Sequence, residues 1–347
     1  MEVPPAVTLW ASADLGSNTF RLLVAGELRP GVVRPAELRQ RVVRLAEGLR
    51  PGGTIQPRAW ARAEALLGEF RRHLDARGVA HRVGFLAAAG RNAADGQEFA
   101  ARAGEILGGA VRIVSGGEEA RLSLRGALGL LARPASRVLF LDIGGGSTEV
   151  AAWERGAPTG GVSLPMGVVG LWEARAWADP PDPGDLAAAR AACRAAWERL
   201  GPAFDPGRWA DDLGSGRAEV VATAGTPLTV AAQVTGRPVS QTRRLSGVWV
   251  ERRGFDEVFR AFRTCRRTDR AKLPSVEPGR EDVILPGLVL LETFLDRFSA
   301  PGFRVSDGGL LEGGLLHAVE QARGAARLEP RAALQQTPCP PELWGGS

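Results

Sequence analysis

One pattern occurs twice in this chain, and it constrains the fold more than anything else in the sequence. "ADLGSNTF" (13–20) and "LDIGGGST" (141–148) both read apolar, Asp, apolar, Gly, two small residues, then an end bearing Ser or Thr. Asp14 and Asp142 stand 128 residues apart. Each copy follows a strand-like run and precedes another, so each reads as a hairpin whose bend carries glycine. The spacing predicts duplicated halves. A length of 347 residues accommodates two domains at roughly 100–200 residues each.

The remaining pattern is α/β. Strands are expected in 7–16, 19–28 and 32–45, a helix over 57–78, a strand over 81–89, a helix over 96–109 and a strand over 110–115. "GGEEARLSLRGALGLLA" (116–132) is a helix leading into "SRVLFLDIG" (136–144). Further strands fall at 148–156, 160–167, 218–225 and 302–309. Helices are expected over 185–200, from 226, over about 281–298 and up to about 319. Ser306 and Asp307 are expected to cap the last helix. The domains read as 1–124, joined by the last helix (about 308–322), and 125–307. A flexible tail covers 323–347, rich in Ala, Pro and Gly.

A bend between two strands uses residues that tolerate positive φ, and "DLGSN" is equally well a simple turn. "LDIGGGSTE" has more than a turn needs. Its amides, bare of side chains, can form a nest for phosphate oxygens, with Ser147 and Thr148 adding hydroxyls and Asp142 placed to hold a hydrated cation. No lysine follows the glycines as in a P-loop. They open a strand rather than the helix of a dinucleotide site. The cysteines Cys193, Cys265 and Cys339 and the histidines His73, His81 and His317 make neither a disulfide framework nor a zinc set. A metal would be a hard cation held by carboxylates and phosphate oxygens. The net charge of +5 comes almost wholly from arginine, which suits an anionic ligand. No basic run with interleaved aromatics suggests nucleic acid. No run is long enough to span a bilayer and no leader is evident, so a cytoplasmic protein with no membrane partner is expected.

Taken in order, "ADLGSNTFRLLV", "RVVRLAEGL", "SGGEEARL", "LDIGGGSTEV", "SLPMGVVGL", "ATAGT" and "VSDGGLLEGGLL" resemble the exopolyphosphatase/guanosine pentaphosphate phosphatase family in its short form. The resemblance runs from about Ala13 to Leu316. It implies two ribonuclease H-like (actin-like ATPase) domains with a cleft between them, magnesium as cofactor with manganese as the alternative, and a homodimer. It implies an exopolyphosphatase that removes terminal phosphate from inorganic polyphosphate. Guanosine pentaphosphate is the second candidate substrate, and a non-catalytic polyphosphate or alarmone sensor is the alternative class.

In that family the second Glu of the "GGEE" pair is catalytic, which falls on Glu119. Ser115 and Glu118 have the spacing of a capping box, so Glu118 has a structural use and Glu119 is left for the water. Asp142 and Glu149 would support the metal, with Asp14 in the matching position on the first hairpin. Ser17, Asn18, Gly144, Gly145, Gly146, Ser147 and Thr148 would cradle phosphate. Arg21 and Arg91 would lie near the substrate chain, though each is equally an exposed salt-bridging cation. Ala87 and Ala88 stand where the family often has hydroxyl residues, which puts substrate affinity in question.

Overall fold

The computed structural model describes residues 7–29, 32–132 and 134–324. From residue 325 the expected tail, with Cys339, lies outside the described residues. The chain packs as two compact units. One holds the described residues up to Ser115 and those from Leu310 onward, and the other holds Gly116–Gly309.

The first unit begins with the meander β1 (Thr8–Leu15), β2 (Thr19–Arg29) and β3 (Val32–Val42). Then come α1 (Pro57–Ala76), β4 (His81–Leu86), α2 (Ala88–Asn92), α3 (Gly96–Leu107) and β5 (Ala110–Ile113). Its sheet order is β3-β2-β1-β4-β5, antiparallel across the meander and parallel from β1 to β5.

The second unit runs through α4 (Gly116–Gly129), β6 (Arg137–Ile143), β7 (Thr148–Glu154), β8 (Ala157–Leu164), α5 (Val168–Glu173), α6 (Pro183–Trp197) and α7 (Pro206–Gly214). It continues with β9 (Ala218–Thr223), α8 (Gly225–Thr235), α9 (Thr242–Leu245), β10 (Trp249–Glu251), α10 (Arg252–Thr264), α11 (Arg267–Arg270), α12 (Ile284–Arg297) and β11 (Gly302–Val305). Its sheet order is β10-β11-β9-β6-β7-β8. Apart from the added edge strand β10, this repeats the order of the first sheet. The duplicated motif therefore sits at the same hairpin of two ribonuclease H-like units.

The packing follows the sequence pattern. β7 and β9 are buried at every residue, as continuous strands covered on both faces are. The apolar run of α12 is buried from Ile284 through Leu291. α4 packs on β8 and β7, so the units divide at Ser115/Gly116 rather than near 125. The last helix, α13 (Leu310–Arg323), packs on β1 and β4 of the first unit.

Three local readings differ from expectation. The strand from His81 ends at Leu86, and Ala88–Asn92 turns helical. The cause is a close fold-back: a Cβ at Gly90 would lie 2.5 Å from the Leu86 side chain. Ser306 does not reach the last helix. It is fully buried, its hydroxyl donates to the Ala127 carbonyl (2.9 Å), and it accepts from the Gly308 amide, tying the end of β11 to α4. Helices α7 and α10 were not anticipated. α10 buries Phe255, Val258, Phe259 and Phe262, a helical spacing that the sequence does display. α7 begins at a proline and is capped by Asp205, which accepts from the Gly207 amide (2.7 Å).

Trp209 of α7 tests this packing. It is fully buried, its indole donates to the Ala203 carbonyl (2.9 Å), and the Arg137 guanidinium lies 4.4 Å from its ring centre. Trp209→Ala is expected to cost about 3–5 kcal/mol, read as a lowered urea midpoint. An unchanged midpoint contradicts the placement.

Candidate active site

The two glycine bends are built by one rule. In the first unit, the carbonyl of Ser17 accepts from the amide of Ala46 (2.9 Å), and that of Asn18 accepts from Val43 (2.9 Å) and Arg44 (2.8 Å). In the second unit, the carbonyls of Gly144 and Gly145 accept from Val168 (3.1 Å) and Val169 (2.9 Å), at the start of α5. In a trans peptide the N–H points opposite to the C=O. Carbonyls turned to the back therefore turn the amides of Asn18 and Thr19, and of Gly145 and Gly146, to the front. Among the described residues no backbone carbonyl accepts from the amides of Gly145 or Gly146. Successive amides on one side form an anion nest.

Gly16 and Gly144 are needed for room, not for unusual dihedrals. None of Gly16, Gly144, Gly145 and Gly146 has positive φ. A Cβ at Gly16 would lie 2.8 Å from the Thr19 carbonyl oxygen, and one at Gly144 would lie 2.9 Å from that of Ser147. These two positions match across the repeat. Gly145 would meet only Val169, at 3.6 Å, and Gly146 would meet nothing within 4 Å. Within the folded chain nothing excludes a side chain at Gly146.

Opposite the repeated aspartates the two units diverge. Asp14 pairs in register with Arg21, whose guanidinium sits 3.0 Å from its carboxylate. Burial pushes the Asp14 carboxyl up from its ordinary value, while Arg21 pulls it down. Asp14 is thus paired with a cation rather than placed among other acids. Asp142 pairs in register with Glu149, another acid. Glu149 is 3% exposed, and the Ser163 hydroxyl donates to it at 2.6 Å. Burial pushes the Glu149 carboxyl well above the usual range. The charges of Glu119 and then Asp142 push it further, against hydrogen bonds from Ser163 and Ser147.

Glu119 reaches this neighbourhood because α4 lies unusually close to β8. A Cβ at Gly116 would lie 2.6 Å from the Ser163 Cβ, and one at Gly161 would lie 2.7 Å from the Gly117 carbonyl oxygen. Glycine against glycine brings the first turn of α4, with Glu118 and Glu119, over the strand that supplies Ser163. Ser163 and Gly161 were missed in the sequence. Adjacent glycines inside β8 (Gly160, Gly161) were the available signal of close backbone approach.

Other expected residues are placed differently. Thr148, expected to bind phosphate, is fully buried and its hydroxyl proton is engaged by the Met166 carbonyl (2.6 Å). Strand alternation accounts for this, since Thr148 and Glu149 face opposite sides. Arg91, in α2, donates to the Val114 carbonyl (2.9 Å). Asn18 is exposed, and Ser17 and Ser147 are half-buried at their bends. Among the described residues no three acidic, His or Cys side chains form a metal-holding group. Two facing carboxylates, Asp142 and Glu149, are hard oxygen donors of the kind magnesium uses, with its remaining sites filled by water and phosphate oxygens. In that sense the donor set fits.

A group whose carboxyl is raised on folding contributes stability below its unfolded pKa and loses it as pH rises through the folded value. Glu149 should therefore destabilise the chelator-treated protein progressively above the ordinary carboxylate range. Glu149→Gln is expected to raise Tm relative to wild type by a margin that grows with pH. Equal pH profiles for the two proteins contradict the crowded-acid geometry.

Comparison with known proteins agrees with this architecture. The model of the Ppx/GppA phosphatase family matches residues 29–322. Exopolyphosphatase 2 of Mycobacterium tuberculosis is 30% identical over 325 residues, covering 89% of this chain and 98% of the relative. Exopolyphosphatase 1 of Mycobacterium bovis is 27% identical over 326 residues, covering 91% and 90%. The crystal structure of the Aquifex aeolicus Ppx/GppA family member shares the fold, with a TM-score of 0.78 and 24% identity over 92% of this chain and 100% of that one. With nearly the whole described chain spanned by that family model, the chain belongs to the Ppx/GppA phosphatase family.

Proposed function

We propose that the protein is an exopolyphosphatase that hydrolyses the terminal phosphoanhydride bond of inorganic polyphosphate. One observation carries the reading: in the second unit a bend with outward amides adjoins the buried Glu149, whose carboxyl feels the charges of both Glu119 and Asp142. The names of the relatives, both exopolyphosphatases, favour polyphosphate over guanosine pentaphosphate as the substrate.

Each residue has a role in this reading. The amides of Gly145 and Gly146 bind oxygens of the terminal phosphate, and Ser147 orients beside them. Gly146 is bare so that the phosphate can reach the backbone. Glu119 takes the proton of the attacking water; general-base help of this kind is worth about 10²–10⁴ in rate. Asp142 and Glu149 would hold magnesium, which supplies charge neutralisation for the phosphate oxygens. Glu149 would release its proton on binding it, as carboxylate ligands must. Arg21, neutralising Asp14, leaves the first bend without excess negative charge, so its outward amides at Asn18 and Thr19 are suited to anion binding without a metal.

Three measurements test this. Glu119→Gln should lower phosphate release from polyphosphate about 10²–10⁴-fold with Tm not lowered, since it removes one of the like charges; release at the wild-type rate removes Glu119 as the base. Gly146→Ala should fold with unchanged Tm, because open space receives the methyl, yet raise KM for polyphosphate; wild-type kinetics would mean the glycine serves no phosphate. Magnesium should raise the Tm of wild type but not of Asp142→Asn. Faster release from guanosine pentaphosphate than from polyphosphate in one buffer would reassign the substrate.

A further inference from the structure

One segment of the chain is dense in basic residues. Residues 260–272, "RAFRTCRRTDRAK", hold six basic residues and one acid, a net of +5 that equals the net charge of the whole chain. Outside this segment 38 basic residues balance 38 acidic ones. These residues sit on the last turn of α10, on α11 and on the residues flanking α11.

The fold presents that segment in a defined way. The apolar face of α10 is buried through Phe255, Val258, Phe259 and Phe262. Arg270, 2% exposed, serves as an internal clasp: its guanidinium donates to the carbonyls of Cys265 and Phe262, and its Nε donates to that of Glu281 (3.0 Å). The amide of Arg267 is fixed on Asp179 (2.8 Å). Two cations are locally neutralised, Arg267 by Asp282 (3.2 Å) and Lys272 by Asp269 (2.9 Å). Arg260, Arg263 and Arg266 are exposed, and among the described residues none of their side chains has an ion-pair or hydrogen-bond partner. Arg260 and Arg263 are one turn apart on α10, where such neighbours lie about 5–6 Å apart, and Arg266 follows in the extended link between α10 and α11. The result is a short row of unpaired guanidinium forks on a pinned scaffold.

Arginine forks in a row suit successive phosphate groups. Proteins that bind single-stranded nucleic acid add exposed aromatic side chains on which bases stack. Here every aromatic residue of α10 is buried, so the helix offers forks for phosphate and no ring on which a base could stack. We propose that Arg260, Arg263 and Arg266 form a secondary binding surface for the body of a long inorganic polyphosphate chain. The identity of the polyanion rests on the function proposed above; the surface itself rests on charge and exposure alone. It should matter for long chains and be silent for short ones, which cannot engage it and the reaction site together.

The test compares wild type with the triple variant Arg260→Gln/Arg263→Gln/Arg266→Gln by fluorescence anisotropy with labelled long-chain polyphosphate, and by phosphate release from long-chain polyphosphate and from tripolyphosphate. Arg253→Gln, on the same helix but already paired with Glu257 (3.1 Å), is the control. The triple variant should bind the long chain about tenfold or more weakly, and its salt slope should fall by roughly 2 for three lost phosphate contacts. KM should rise for the long chain only, and the control should match wild type. Unchanged affinity, or an equal KM rise for tripolyphosphate, overturns the proposal. Equal binding of single-stranded RNA of matched charge, lost equally in the variant, would make the surface a nucleic-acid site and also overturn it. Binding is read without turnover. Wild type that binds long polyphosphate through this row but releases no phosphate would therefore refute the hydrolase reading and leave the surface in place.

Discussion

Everything distinctive about the second unit depends on the close approach of α4 to β8. Helices usually stand off a sheet by the length of two side chains. Here Gly116 and Gly117 meet Gly161 and Ser163, where added Cβ atoms would come within 2.6–3.0 Å of their neighbours. That contact carries Glu119 to Asp142 and Glu149 and creates a cluster of like charge. The cluster works against stability, because burial and two acidic neighbours both oppose ionisation of Glu149. Proteins retain such arrangements where the charge has a use, and a bound cation reverses the local cost.

The duplicated motif shows how one backbone device yields two electrostatic environments. Both bends fix their carbonyls behind them, yet the donors differ: loop amides at Val43, Arg44 and Ala46 in one unit, the first amides of α5 in the other. The aspartate is kept in both. What changes is the residue facing it across the hairpin, Arg21 in one and Glu149 in the other. One substitution of sign at a register position separates a neutral bend from an acidic one.

Much of this was legible in the sequence because it rests on local pattern. The repeat, the meanders, most helices and the residues of both bends follow from spacing and glycine content. What could not be read depends on direction and on long-range packing. The sequence places Thr148 beside Ser147, but strand alternation buries it on the Met166 carbonyl. It shows Asp14 and Asp142 as equivalents, but their cross-strand partners make them unlike. The role of Ser163 requires knowing that β8 lies next to β7 and under α4. α10 was overlooked although its Phe and Val spacing was present, because its dense arginines hide the periodicity.

The proposed hydrolysis would account for keeping arginines away from Glu119, Asp142 and Glu149. A polyphosphate cannot approach Glu119, Asp142 and Glu149 while all three are ionised and unneutralised, since like charges at such distances repel strongly in a poorly solvated site. Basic residues placed among them would relieve the repulsion, but they would also pair with Glu119, the carboxylate proposed to activate water, and quench it. A cation that arrives with the substrate avoids that conflict, and so does a proton held on Glu149 until it is displaced. Attraction for the rest of the proposed polyanion is then better placed where none of these acids can neutralise it. Arg260 and Arg263 at the end of α10 and Arg266 just beyond it, without carboxylate partners among the described residues, meet that requirement.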